Sequence, residues 1–135
     1  MKKYLLLGFA LLFVSACASS QKNKSAPQWT IKGAGAFSDS GKRVFYGVGV
    51  APATIGDESL RRETADNRAR ADVQKVFSTS IEGSMTSYTT NESERVERVL
   101  KTFQSGKVSW VQIVDRYQAA DGSRYSLAKV DLDQI

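Results

Sequence analysis

The chemistry open to this chain is set by one thiol, fourteen carboxylates and no imidazole. Cys17 is the single cysteine, and histidine is absent from all 135 residues. That removes the commonest general base and the usual zinc and copper ligands, and a lone thiol closes no intramolecular disulfide. Cys17 follows Val14 and then Ser15 and Ala16, the last two small residues ahead of a bond that a peptidase has to reach. The carboxylates are the other candidates, because glycosidase chemistry needs only two acids. Most of them stand beside basic or turn residues, so solvated surface is the expected role. The glycines of Gly47, Val48 and Gly49 invite comparison with a dinucleotide loop, but Pro52 occupies the third glycine position and Gly56 is misplaced. No catalytic, metal-binding or cofactor-binding residue is assigned. Asn91, Glu92 and Ser93 match a glycosylation sequon by coincidence.

The elements around Cys17 give it its meaning. Lys2 and Lys3 form a basic start, and Tyr4 to Phe13 an apolar run of about ten residues, well short of the roughly 20 that span a bilayer. Polar residues, Ser19 to Lys24, follow the cysteine. This layout resembles the signal peptide and lipobox of a bacterial lipoprotein. The resemblance implies that the Cys17 thiol takes a diacylglyceryl group, that the chain is cut just before it, and that palmitate-type chains anchor it in a bilayer. Each buried methylene contributes about 0.8 kcal/mol, so two or three chains hold a small domain stably. Residues 1–16 then form the signal peptide, 17–26 the lipidated cysteine with a flexible tether, and 27–135 one domain. Ala18 in place of aspartate favours the outer membrane under enteric-type sorting.

Loss of Lys2 and Lys3 leaves 17 basic against 14 acidic residues, mixed along the chain. This mild positive balance suits anionic headgroups or cell-wall polymers and not nucleic acid, which an exported protein does not routinely meet. The hydrophobic fraction of 41% includes the signal peptide, so the remaining core is modest and an envelope partner or self-association is expected to complete it.

Val44 to Ala51 is β-rich and closed by Pro52, with Gly47 and Gly49 marking a bulge or a close backbone approach. Asp57 to Ile81 has no proline or glycine and places Ala65, Ala69, Val73, Val76, Phe77 and Ile81 on one helical face. Asp57 is placed to cap it. The other faces carry acid and base four apart, Asp57 with Arg61, Glu58 with Arg62 and Asp66 with Arg70, read as solubilising pairs that form no site. Glu92 to Phe103 predicts a shorter helix or helical connector. Val108 to Tyr117 and Arg124 to Leu132 read as a hairpin, with Asp121 and Gly122 at its turn. Trp29 is expected at the domain edge, the strand aromatics in the core or in cross-strand pairs, and Arg68 and Arg70 are candidates for an anion. The fold class is α+β, a small antiparallel sheet of about three strands packed by one long helix, with a shorter second one.

Several of these pieces together resemble the Lpp-twenty family of small bacterial lipoproteins, related to the flagellar assembly lipoprotein P. They are Pro27, Gln28 and Trp29 after the cysteine; Phe45 to Val50 as first strand; ADNRARADVQK over Ala65 to Lys75; and the closing hairpin from Val111 to Leu132. The resemblance implies a non-enzymatic envelope module serving outer-membrane or flagellar assembly, with its domain facing the periplasm or the surface. The alternative is a periplasmic small-ligand carrier, or a weak carboxylate-based hydrolase, using a groove between helix and sheet.

Overall fold

The structure is a computed structural model that describes residues 25–37 and 43–135. Helix α1 (Gln28–Lys32) runs into a 3-10 turn over Gly33–Phe37, and strand β1 (Val44–Ala51) follows. The long helix α2 (Glu58–Glu82) and the shorter α3 (Thr90–Gln104) precede the hairpin of β2 (Gln112–Gln118) and β3 (Arg124–Asp131). The three strands form one antiparallel sheet in the order β1-β3-β2, as an α+β fold requires.

Helix α2 begins where Asp57 accepts a hydrogen bond from Leu60 N–H at 2.7 Å, a cap worth about 1 kcal/mol. Its buried positions, Ala65, Asp66, Ala69, Val73, Phe77 and Ile81, recur every three to four residues and lie on the sheet. The helix crosses β1 in the opposite direction, so Gly49 meets Ala65, Gly47 meets Val73, and Phe45 meets Phe77 edge-on at 4.7 Å. Close approach, and not a bulge, therefore explains the two glycines. A 25-residue helix is ~37 Å long and an eight-residue strand only ~26 Å, so α2 overhangs the sheet. Helix α3 covers that overhang with Val96, Val99 and Phe103, the last edge-on to Phe77 at 5.6 Å. A Thr89/Glu92 capping box starts α3.

The opposite face of the sheet is also covered. Tyr46, Val48 and Val50 alternate to that side, opposite Lys129, Leu127 and Tyr125. Phe37 stacks on Tyr46 at 3.9 Å, and Trp29 donates from Nε1 to Asp115 of β2 at 3.3 Å. The segment from α1 to the 3-10 turn thus crosses the sheet from β2 to β1, and Trp29 is buried beneath it. Trp29 accordingly sits on a sheet face, inside the position expected at the domain edge.

Candidate functional site

The buried polar centre of the protein is Asp66, 8% exposed on the sheet face of α2. Arg116 of β2 grips it with both arms of the guanidinium, Nε to Oδ1 at 3.0 Å and Nη2 to Oδ2 at 2.8 Å. Ser126 of β3 donates its hydroxyl to Oδ1 at 2.5 Å. Burial alone would raise the Asp66 carboxyl. Hydrogen bonds from Arg116 and Ser126, with the charges of Arg116 and Arg70, outweigh it and hold the group below its ordinary value. The same contact raises Arg116. Such a fork fixes geometry as well as charge, so the cluster pins both hairpin strands to the helix.

A bulge makes this contact possible. Ile113 stands opposite Ala128 and Asp115 opposite Leu127, which leaves Val114 without a partner. In an unbroken strand Ile113 and Asp115 would share a face and Arg116 would turn away from α2. The extra residue reverses the phase, so Arg116 reaches Asp66 beneath the helix while Asp115 faces Trp29 on the other side.

These contacts revise the sequence-based pairing of charges along α2. Asp66 binds Arg116, 50 residues away, and not Arg70 four residues on; Arg70 instead donates to Asn67 at 3.1 Å. Asp57 is spent on the cap, and Glu58 pairs with Arg61 and with Arg124 rather than with Arg62. The reason is tertiary: the first turn of α2 packs against the hairpin turn, where Arg61 also donates to the Gly122 carbonyl at 2.8 Å. Helix-surface pairs worth a few tenths of a kcal/mol do not compete with partly buried ones.

The two edges of the sheet differ. On β1, Val48 N–H donates to Asp72 at 2.8 Å and Arg68 donates to the Val50 carbonyl at 2.6 Å, so α2 side chains occupy outward backbone groups. Arg68 is thereby engaged by the backbone instead of standing ready for an anion. On β2, the described residues provide one such contact, Arg116 N–H to the Asp115 carboxylate at 2.8 Å. Val114 of this second edge is exposed, as is Trp110, two residues before β2 begins.

Other candidates are dispersed. Asp121 accepts from Ser123 in the hairpin turn, which lowers its carboxyl, and Asp131 caps the closing 3-10 turn. Among the described residues no three acidic, cysteine or histidine side chains gather as a metal site, and no helix is long and apolar enough to cross a membrane. Tyr117 and Tyr125 form the expected cross-strand aromatic pair, with ring centres 6.2 Å apart. Cys17 and Asp39 lie outside the described residues. Comparison of the chain with models of known families, with curated proteins and with solved structures yields no match.

Proposed function

We propose that this chain is a lipid-anchored protein of the bacterial envelope that works by contact and not by catalysis. The observation that carries the reading is Cys17 behind Val14, Ser15 and Ala16, a dozen positions ahead of Trp29. Trp29 ties the first described residues to the sheet, so an anchor at Cys17 pulls on a packed fold and not on a loose end. Ala18 directs the anchor to the outer membrane, with the domain in the periplasm or at the surface. The resemblance to the Lpp-twenty family supports service in envelope or flagellar assembly, through an envelope protein or a second copy of the chain.

The close crossing of α2 and β1 favours this reading over the ligand-carrier or hydrolase alternative. A Cβ on Gly47 would stand 2.1 Å from Val73 N, so α2 and β1 are already in backbone contact where such a groove would run. The Asp66 carboxylate, the best-buried acid among the described residues, has both oxygens engaged. Metabolic labelling with a clickable palmitate analogue tests the proposal. The natural chain should carry label and fractionate with the outer membrane, and Cys17→Ser should lose both; a label-free, soluble natural chain would refute it. Unaltered motility in a deletion strain would remove the flagellar assignment alone.

A further inference from the structure

We infer that the side of the domain around Asp115, presenting Ile31, Lys32, Lys107, Trp110 and Val114, rests on the lipid surface at headgroup depth. The inference deepens the lipid-anchored reading and depends on it. It starts from where the chain outside the described residues must lead. Ser25 is eight residues beyond Cys17, a span of at most ~29 Å when fully extended. A domain of this size has a radius of gyration of about 13 Å, which for a solid sphere is a width of about 34 Å, so even the extended tether is shorter than the domain is wide. The hydrogen bond from Trp29 to Asp115 fixes the start of the described chain beside β2. That side of the domain therefore stays nearest the anchor, at an effective concentration that lets weak contacts persist.

The residues found there suit a headgroup layer. Val114 adjoins Asp115, Trp110 stands four residues before it on the lead into the same edge, and Ile31 lies two residues past Trp29. All three are exposed, Ile31 by 79%. The other large exposed hydrophobics among the described residues, Val50, Leu60 and Met85, sit on β1, on the first turn of α2 and in the turn after α2. Tryptophan favours the boundary between water and hydrocarbon, where its ring is buried and its N–H stays hydrated. Lys32, next to Ile31, and Lys107, three residues before Trp110, are exposed and make no ion pair among the described residues, which leaves two cations for anionic headgroups. The depth is limited by β2 itself. Backbone groups of an edge strand cannot enter hydrocarbon unpaired, but they remain solvated among headgroups.

The test uses the full lipidated chain in vesicles of phosphatidylcholine and phosphatidylglycerol with acyl chains brominated near the headgroup, and in matching unbrominated vesicles. Tryptophan emission should fall with bromination. The fall should disappear in Trp110→Tyr, shrink in Ile31→Ser with Val114→Ser, and weaken in phosphatidylcholine alone. All three substitutions are at exposed positions, and an unchanged circular dichroism spectrum confirms that each variant is folded. A chain that floats with the vesicles but shows no Trp110 quenching overturns the docking and leaves the anchor standing. A chain that does not float overturns both. A floating chain whose Trp110 is not quenched by the brominated acyl chains and which cross-links as a dimer shows that a second copy covers this face, and overturns the lipid assignment.

Discussion

Replacing Gly47 with alanine should be far more damaging than one added methyl group suggests. The new Cβ would lie 2.1 Å from Val73 N, 2.6 Å from Val73 Cα and 2.8 Å from the Ala69 carbonyl oxygen. Ordinary contact begins near 3.4 Å, so α2 and β1 must separate by more than 1 Å at this crossing. Every obstructing atom is backbone, and no side chain can swing aside. Overpacking of a core typically costs about 1–3 kcal/mol when side chains can adjust, so the upper end is the minimum here. Separation would also loosen Phe45 from Phe77 and draw Asp66 away from Ser126 and Arg116. A loss of about 3 kcal/mol is a large share of the 5–15 kcal/mol that holds a typical domain together, and lowers the melting temperature by roughly 12–24 °C. Gly56→Ala is the control, since nothing lies within 4 Å of its Cβ and its φ is not positive. It should be neutral or stabilising by up to about 1 kcal/mol. Thermal and urea unfolding followed by circular dichroism measures both. If Gly47→Ala falls within about 1 kcal/mol of the natural chain, the tight crossing is not a feature of the protein in solution.

Three further outcomes follow from the same geometry. The Asp66 carboxyl is lower in the folded than in the unfolded chain, so it stabilises the fold above the ordinary value of 3.8, and that stability is lost as pH falls through the folded value. Asp66→Asn should cost about 1–3 kcal/mol at neutral pH, reduced by the solvent around half-exposed Arg116, and should flatten the acid limb of stability against pH; an unchanged limb refutes the role. Removing both guards of the β1 edge, Arg68→Ala with Asp72→Ala, should lower stability by about 1 kcal/mol or less yet produce larger species with rising concentration in size-exclusion chromatography, and a strictly monomeric elution profile would show the edge needs no guard. Deleting Val114 removes the bulge but leaves Ile113, Asp115 and Arg116 in regular alternation on their present faces, so it should destabilise less than Arg116→Ala; a larger loss in urea unfolding would count against the phase argument.

Much of the fold was legible because its signals are local. Strand β1 runs over the residues that the β-rich segment before Pro52 predicts, and Asp57 caps the helix that the spacing of Ala65, Ala69, Val73, Phe77 and Ile81 demands. Helix α1 was not legible, since five residues complete little more than one turn and show no periodicity. Its place is decided by Trp29 finding Leu127's side of the sheet, a contact across most of the chain. Strand β2 begins at Gln112 and not at Val108, because the residues before it form a turn in which Val111 N–H bonds the Val108 carbonyl.

The polar centre carried a signal that the charge pairing obscured. Asp66 stands seven residues before Val73, in phase with the buried stripe, so the helix turns it inward whatever occupies position 70. An inward carboxylate needs a partner from another element, and among the basic residues of the hairpin only a strand out of its regular phase could supply Arg116. Neither requirement is visible alone: the in-phase acid asks for a cation, and the bulge at Val114 explains how one arrives while Asp115 is turned to hold Trp29. One unpaired residue thus serves both faces of the sheet, joining the hairpin to α2 on one side and to the segment leading back toward Cys17 on the other. Strain on the N-terminal segment would reach β2 through Asp115, the residue next to the one that grips the buried carboxylate, so tether and core meet at adjacent positions of a single strand.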